Sequence, residues 1–251
     1  MTDYSYSRAS VVFLDRGNTK VLVFPRRGSR VTQFPVPAAY RSIALAADET
    51  VLLVPGTGAH AVDVYSAAGD PVGGIGAFEE LPVRCAPNED CERTRRQCMG
   101  CVVRVLGDAV LVMNTELDLM TVFAGEGRPA RSLDLRARLA RLREWIATDE
   151  PLLARMQERA DARSSGATVP VVLKSYFNNV HASPDGRLAF SVKPASPVLQ
   201  SSGYQYSLLD VETLEVESVG FSDHSHGLRA TGWQTVFGVQ RGTYAIYRFQ
   251  D

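Results

Sequence analysis

An all-β fold, a β-propeller of four-stranded blades, is predicted by three features of the sequence. A pattern of two apolar runs around a short polar turn occurs five times. The first two copies place Val12 and Val51 at equivalent positions, 39 residues apart, and a period near 40 is typical of propeller blades. The runs are rich in β-branched and aromatic residues, which favour strands. The five copies are Val11–Phe24, Val51–Tyr65, Val110–Phe123, Leu188–Leu209 and Val236–Phe249.

The second unit shows the four strands of a blade most clearly. We expect strands over Arg41–Ala46, Thr50–Pro55, Ala61–Ser66 and Pro71–Gly76. The segments between them carry Gly and Asp, which suit the tight turns that join antiparallel strands. In the fourth unit, Ser183–Gly186 places Pro at the second turn position and Gly at the last, as a tight turn requires.

The repeats resemble the NHL-like, six-bladed class of β-propellers, whose units alternate apolar strands with Asp-Gly and Gly turns. The segments Ser183–Gly186 and Val62–Gly69 match that pattern best. The resemblance covers nearly the whole chain outside two inserts, and it implies a fold. It also implies binding of proteins, peptides or sugars, as in many members, or hydrolase or lyase chemistry, as in some. No fixed catalytic residues can be transferred from it.

The number of blades follows from the spacing of the units. Five units are evident, and the step of 78 residues from Val110 to Leu188 is twice the basic period. A sixth, degenerate blade is therefore expected around Val169–Tyr176. The last unit stops near its third strand at Phe249, so we expect Tyr4–Arg8 to supply its missing strand.

Two inserts interrupt a single domain that we assign to residues 1–251. Residues 78–100 form a cysteine-rich loop, and residues 135–165 read as two amphipathic helices, the first after the N-cap Asp134 and the second after Thr148–Pro151. We expect the apolar stripe of the helices to pack on the propeller. The residues that mark the first helix by their spacing are Leu135, Leu139, Leu142 and Ile146.

The connections of the blades are expected to separate by length. Strands reverse direction within a blade, so the loops between second and third strands leave the same face as the crossings to the next blade. Both inserts belong to this class, and so does the long loop Lys193–Tyr204. We therefore expect both inserts on one face, where long connections on a rigid scaffold usually carry function.

All four cysteines of the chain lie within 17 residues, at Cys85, Cys91, Cys98 and Cys101. Two disulfides would stabilise this polar excursion and would require an oxidising compartment. Four thiolates would instead bind zinc or an iron–sulfur cluster. A redox pair at Cys98 and Cys101 is the third alternative. Localisation is thus periplasmic or extracellular if disulfides form and Met1 is not the native start, and cytoplasmic otherwise.

Histidine and arginine supply the remaining candidate site residues. A second metal site would combine Asp223, His224 and His226 with His60, although His60 is also interpreted as an ordinary loop residue. Arginines in the two inserts would form a basic surface for an acidic partner, or merely a solvated helix face. These arginines are Arg93, Arg95, Arg96, Arg136, Arg138, Arg141 and Arg143.

Composition excludes some functions and leaves two hypotheses. A formal net charge of −1 gives no general attraction for nucleic acid, and no apolar run reaches the roughly 18 residues of a membrane span. No phosphate loop, zinc-protease or serine-hydrolase motif is present.

We expect a non-catalytic scaffold that holds a protein partner on its insert-bearing face, as a candidate subunit of an assembly. The alternative is a metal-dependent enzyme, with zinc or an iron–sulfur cluster, or a redox protein, with its site at the channel mouth.

Overall fold

The computed structural model consists mainly of short antiparallel strands arranged in separate sheets. The described residues form five sheets, four with four strands and one with three, and in each sheet neighbouring strands follow one another along the chain. The structure describes residues 2–28, 30–37, 40–56, 58–81, 101–114, 118–124, 130–162, 177–182, 187–192, 204–222, 227–232, 235–240 and 243–248.

The first three sheets occupy the N-terminal half of the chain. The first contains β1 (Thr2–Tyr6), β2 (Ser10–Asp15), β3 (Lys20–Pro25) and β4 (Thr32–Pro35). The second contains β5 (Tyr40–Leu45), β6 (Val51–Pro55), β7 (His60–Tyr65) and β8 (Pro71–Ala77). The third contains β9 (Cys101–Leu106), β10 (Ala109–Asn114), β11 (Leu119–Ala124) and β12 (Arg131–Asp134).

The remaining elements complete the described fold. The fourth sheet contains β13 (Phe177–Ala182), β14 (Leu188–Val192), β15 (Tyr204–Leu209) and β16 (Val216–Ser222). The fifth contains β17 (Gly227–Gly232), β18 (Thr235–Gln240) and β19 (Thr243–Arg248). A 3₁₀ turn, Phe78–Glu80, follows β8, and the helices α1 (Leu135–Arg138) and α2 (Ala140–Asp161) follow β12.

The chain divides into two compact units, Met1–Leu133 and Asp134–Asp251. In the first unit, the second sheet packs between the first and third sheets, with a hydrophobic cluster on each side. Because both of its faces are covered, all five residues of β6 are buried. The first sheet instead alternates, so Val12 and Leu14 of β2 are buried while their neighbours are partly exposed. In the second unit, β13 of the fourth sheet lies beside β17 of the fifth.

The strands predicted for the second repeat, which forms the second sheet, are confirmed. Strands β5 to β8 begin and end within one residue of the expected bounds. The glycine-rich segment in β8 is a strand, and glycine is required there because a Cβ at Gly76, whose φ is +63°, would overlap the ring of Phe123 in the third sheet. The predicted pattern of alternating runs and glycine turns therefore locates this blade correctly.

The helical insert contains two helices, as expected, but the predicted boundary between the two helices is wrong. Asp134 caps α1, since its Oδ1 accepts hydrogen bonds from the backbone N–H groups of Arg136 and Ala137. The break between the helices falls at Leu139, and α2 continues through Pro151. Thr148 donates its hydroxyl to the carbonyl of Glu144 instead of capping a new helix.

The apolar stripe of the insert is buried, and its packing on the propeller stays a prediction. It continues along α2 without changing face, and this burial outweighs the roughly 3 kcal/mol that an interior proline costs a helix. Neither helix that the structure describes combines the length with the apolar character needed to cross a membrane. The buried residues of the stripe include Leu135, Leu139, Leu142, Trp145, Ile146 and Leu153.

The expectation for the N-terminal segment is wrong. Strand β1 pairs with β2, with Tyr4 opposite Phe13, and so forms the first strand of the first sheet and does not complete the last blade. The turn after it is closed locally, because the hydroxyl oxygen of Ser7 accepts the N–H of Ser10. The proposed sixth blade around Val169–Tyr176 lies outside the described residues, as does most of the loop before β15.

Candidate functional site

Both inserts join the third sheet at the same end. Residues 78–100 lead into β9 at Cys101, and the helices leave β12 at Asp134. In a four-stranded antiparallel sheet, the start of the first strand and the end of the fourth lie at one end. We call this the insert end of a sheet: the end from which the loops between second and third strands, and the crossings to the next sheet, depart.

The first and second sheets have their insert ends on the same side. Strands β1 and β5 run side by side in parallel, because Asp3 accepts the N–H of Ile43 at 3.1 Å and Ser5 accepts the N–H of Leu45 at 3.1 Å. The course of residues 82–100 and 163–176 lies outside the described residues. The placement of both inserts on one face therefore stays a prediction, which the shared attachment end favours.

Four polar side chains form a network along the second sheet, which runs from Tyr40 and His60, the first residues of β5 and β7, to Tyr65, the last residue of β7. Tyr40 begins β5, and its hydroxyl donates to Asp63 Oδ2 at 2.8 Å and lies 2.9 Å from the hydroxyl of Tyr65. The other carboxylate oxygen of Asp63 lies 3.3 Å from Nδ1 of His60, the first residue of β7. The ring of Phe34 from the first sheet stacks on Tyr65 at 5.9 Å. The carboxylate thus joins an exposed imidazole to a buried phenol.

The surroundings determine the chemistry of this network. Burial raises the pKa of Tyr40, and the hydrogen bonds with Tyr65 and Asp63 raise it further, so the phenol is a proton donor at neutral pH.

The His60 ring lies beside Gly74. A Cβ at Gly74 would overlap that ring, so glycine makes room for it. When Nδ1 of His60 donates to Asp63, Nε2 keeps a lone pair. Since 48% of the His60 side chain is exposed, that nitrogen is available to a partner or to a metal ion.

The structure places one of the four residues of the second predicted metal site. His60 begins a strand and is supported by a carboxylate, an arrangement that is common behind metal-binding histidines. Asp223, His224 and His226 lie outside the described residues. Within the described part of the chain, no group of three or more His, Cys, Asp and Glu residues converges as metal ligands would. The metal site stays a prediction.

One residue of the cysteine cluster is described. Cys101 is 3% exposed and packs in the core between the second and third sheets. Cys85, Cys91 and Cys98 lie outside the described residues. The cysteine-rich segment is thus attached to the core at its C-terminal end.

Two of the described arginines of the helical insert contact acidic residues within the insert. Arg136 lies 3.7 Å from Glu150, and Arg141 pairs with Glu144 at 3.1 Å and lies over the ring of Trp145. These contacts stabilise the helices, and a role in partner binding stays a prediction.

Two further arginines of the helical insert, Arg143 and Arg138, have different surroundings. The guanidinium of Arg143 donates to the carbonyls of Arg136 and Ala137, which closes the end of α1. Arg138 is exposed. Arg93, Arg95 and Arg96 lie outside the described residues.

Sequence reasoning did not identify Tyr40, Asp63 or Tyr65. Asp63 and Tyr65 lie in the expected strand pattern of β7, where alternate residues share a face. Tyr40 is 23 residues from Asp63 in the sequence, and no local motif links them. The one local signal for this network was the spacing of His60 and Asp63, which are three residues apart. That spacing is not specific, because many unrelated pairs on strands share it.

Comparison with known proteins establishes the class of fold. No protein-family model matches the chain, and no curated protein sequence matches it significantly. The structure is similar to the β-propeller domain of Cps50 (Swd1) from Myceliophteria thermophila, with a TM-score of 0.53 and 11% identity, over 98% of this chain and 69% of that one.

A second similar structure is that of a Bacteroides uniformis protein, which is described as a candidate 6-phosphogluconolactonase. Its TM-score is 0.50 and its identity 12%, over 98% of this chain and 65% of that one. The chain therefore spans about two thirds of the length of each protein. Together with the four-stranded sheets in chain order, these similarities define the fold as a β-propeller and confirm the predicted fold class.

Proposed function

We propose that the protein is a non-catalytic binding propeller that holds a protein partner at its insert end. The observation that carries the proposal is the unequal length of the connections between the described strands. At the insert ends, residues 78–100, 135–176 and 193–203 separate consecutive strands. At the opposite ends, the longest connection between described strands has six residues. Long connections on a rigid scaffold are where binding surfaces usually form.

The attachment of the inserts supports a preformed binding surface. Cys101 anchors one segment in the core, and the buried stripe of α2 fixes the other. We propose that the four cysteines form two disulfides that reduce the conformational entropy of the loop before binding. This pairing implies an oxidising compartment, which fits a periplasmic or extracellular location.

Site-specific photo-cross-linking tests the proposed surface. A photoreactive amino acid would replace Asn18 or Glu144, which are exposed on the turn after β2 and on α2. Matched controls at Asp48 and Ala68 lie in turns at the opposite end of the second sheet. In native extract, we expect one discrete protein adduct from the first pair alone. Equal adducts from Asp48 or Ala68 would contradict the proposal.

A metal-dependent enzyme, or a redox protein, is the second candidate function, and the His60–Asp63 pair favours the metal-dependent form. A carboxylate behind an exposed imidazole fixes the orientation of the ring, as it does behind many metal-binding histidines. Elemental analysis of protein purified without chelators separates the candidates. Metal-free oxidised protein supports the binding propeller with disulfides. One zinc or iron per chain that is lost in His60→Gln supports the enzyme, and metal that persists in His60→Gln belongs to the cysteines.

A further inference from the structure

The first sheet carries aromatic side chains on the face that points away from the second sheet. Side chains alternate between the two faces of a strand, and Val12 and Leu14 of β2 belong to the hydrophobic cluster shared with the second sheet. The residues between them in β2, and their partners in β1 and β3, therefore point to the other face. A face turned away from the core of an antiparallel sheet is ordinarily polar. This face, which we call the aromatic face, contains Tyr4, Tyr6, Val11, Phe13 and Phe24.

The strand register brings the rings of the aromatic face together. Tyr4 lies opposite Phe13, and Val11 lies opposite both Tyr6 and Phe24, so their side chains share one side. The centroid of the Phe13 ring is 6.0 Å from that of Tyr4, and Phe24 meets Phe13 edge-on at 5.4 Å. Tyr6 is 59% exposed and Phe24 is 38% exposed. Ring surface therefore stays in contact with water, which is typical of a binding surface when several such residues adjoin.

An open cavity lies on the aromatic face. Its volume is about 410 Å³, and it is lined by Tyr4, Tyr6, Val11, Phe13 and Arg26. Cavities that hold small ligands have volumes of about 300–1,000 Å³ and combine apolar walls with a few polar groups. The walls here are rings and one aliphatic side chain, and the polar groups are phenol hydroxyls and a guanidinium. The cavity therefore suits a small molecule better than a protein surface.

Arg26 is the cationic residue of this cavity. Its backbone N–H donates to the carbonyl of Ala9 at 2.7 Å, so the start of the loop after β3 is held against the turn between β1 and β2. This bond fixes the backbone from which the guanidinium reaches the cavity. The side chain of Arg26 is exposed, and it forms no ion pair with any residue that the structure describes.

The sequence makes this end of the first sheet basic. The two connections at this end, residues 7–9 and 26–31, contain four arginines and no acidic residue. Glu49 of the second sheet reaches the same end, where its carboxylate accepts the hydroxyl of Ser7 at 2.6 Å. Four cations around one carboxylate leave an excess of positive charge, which attracts anions to the cavity.

We propose that this cavity binds a small aromatic carboxylate, with its ring against Tyr6 and Phe13 and its carboxylate on Arg26. A flat ring matches aromatic walls, and a guanidinium presents a planar pair of donors that fits a carboxylate. A neutral ring would leave the guanidinium without a partner, and a small anion without a ring would leave the walls in water. The cavity lies at the end of the first sheet away from the inserts. The inference therefore goes beyond the proposed function and does not depend on it.

Saturation-transfer nuclear magnetic resonance with phenylacetate tests the cavity, because this method detects weak binding of small molecules. We expect saturable binding at one site per chain. Two matched probes separate the contributions of the ring and of the charge. Phenylethanol keeps the ring without the charge, and acetate keeps the charge without the ring, so each should bind at least about tenfold more weakly. Absence of saturable phenylacetate binding, or equal affinity for phenylethanol, would overturn the proposal.

Two arginine variants locate the carboxylate. Arg26→Gln should weaken phenylacetate binding about tenfold, because it removes the paired donors from the cavity. Arg27→Gln is the matched control, since Arg27 is exposed in the same loop and does not line the cavity, and it should change the affinity less than about twofold. Equal losses in the two variants, with wild-type circular dichroism spectra, would show only a general attraction to positive charge and would overturn the site.

Nitration of tyrosine by tetranitromethane tests whether the aromatic face is open in solution. Tyr6 should be nitrated in the protein alone and protected by phenylacetate, as measured by mass spectrometry of peptides. If a second copy or another segment of the chain covers this face, Tyr6 will resist nitration without any ligand, and phenylacetate will not bind. That result would overturn the proposal.

Discussion

The two ends of the second sheet use their polar side chains differently. At the end away from the inserts, the turns are closed by their own residues: the hydroxyl oxygen of Ser66 accepts from Ala68 and Asp70, and Asp48 accepts from Thr50. One bond there, from Ser7 to Glu49, joins two turns.

Towards the insert end, several bonds connect strands that are distant in the sequence, beside the local bond between His60 and Asp63. Ser42 links Asp3 on β1 to Val103 on β9, and Tyr40 links β5 to Asp63 on β7. Turn bonds support local geometry, whereas the bonds at the insert end hold several strands and a set of ionisable groups in one arrangement. The polar groups at one end therefore stabilise single turns, whereas those at the other end join separate strands.

Ser42→Ala should have the largest effect on stability. The change removes an acceptor from the Val103 N–H and a donor from the Asp3 carboxylate, both at a buried position. We expect the free energy of unfolding to fall by about 3 kcal/mol. Urea denaturation followed by circular dichroism measures the change. A loss below about 1 kcal/mol would mean that the network contributes little to the joining of the sheets.

Tyr40→Phe should have an intermediate effect, because it removes the donor to Asp63 and the hydrogen-bond partner of Tyr65. We expect a loss of about 1–2 kcal/mol at neutral pH. Phe keeps the ring that packs edge-on against Tyr65, so packing is largely retained. The same urea denaturation at pH 7 measures it, and a wild-type value in the variant would contradict the network.

The raised pKa of Tyr40 also predicts how stability depends on pH. Its stabilising contribution is complete below the unfolded pKa of about 10 and is lost as pH rises above that value, because the unfolded chain then releases the proton first. The wild type should therefore lose stability between about pH 10 and 11 more steeply than Tyr40→Phe. Parallel slopes for the two proteins would show that Tyr40 ionises as an ordinary exposed tyrosine.

Ser66→Ala should have the smallest effect and is the matched control for Ser42→Ala in the same sheet. Its hydroxyl oxygen accepts two backbone N–H groups in an exposed turn, where water can replace it. We expect a loss of about 0.5 kcal/mol. If thermal and urea unfolding gave equal losses for the two serine variants, the proposed difference between the two ends would be wrong.

The same contrast explains what the sequence could predict. The strands of the second sheet followed from local alternation and glycine turns, so their bounds were within one residue. The N-cap at Asp134 was equally local. The continuation of α2 through Pro151 was missed because the burial of the apolar stripe is a tertiary effect that no local signal records.

The bonds at the insert end were beyond sequence reasoning for a physical reason. Ser42 and Val103 are separated by 61 residues, and Asp3 and Ser42 by 39. Their pairing depends on how the sheets are placed beside each other, which no local pattern records. The role of β1 was missed for the same reason, since its partner strand was assigned to the wrong end of the chain.

Hydroxyl-radical footprinting of the partner complex tests the central claim most directly. The partner captured by cross-linking would be added to the purified protein, and oxidation of side chains would be compared with and without it. We predict protection of His60 and of exposed residues on α2, with unchanged oxidation in the turns at residues 46–50 and 66–70. Protection of those turns, with His60 unchanged, would contradict binding at the insert end.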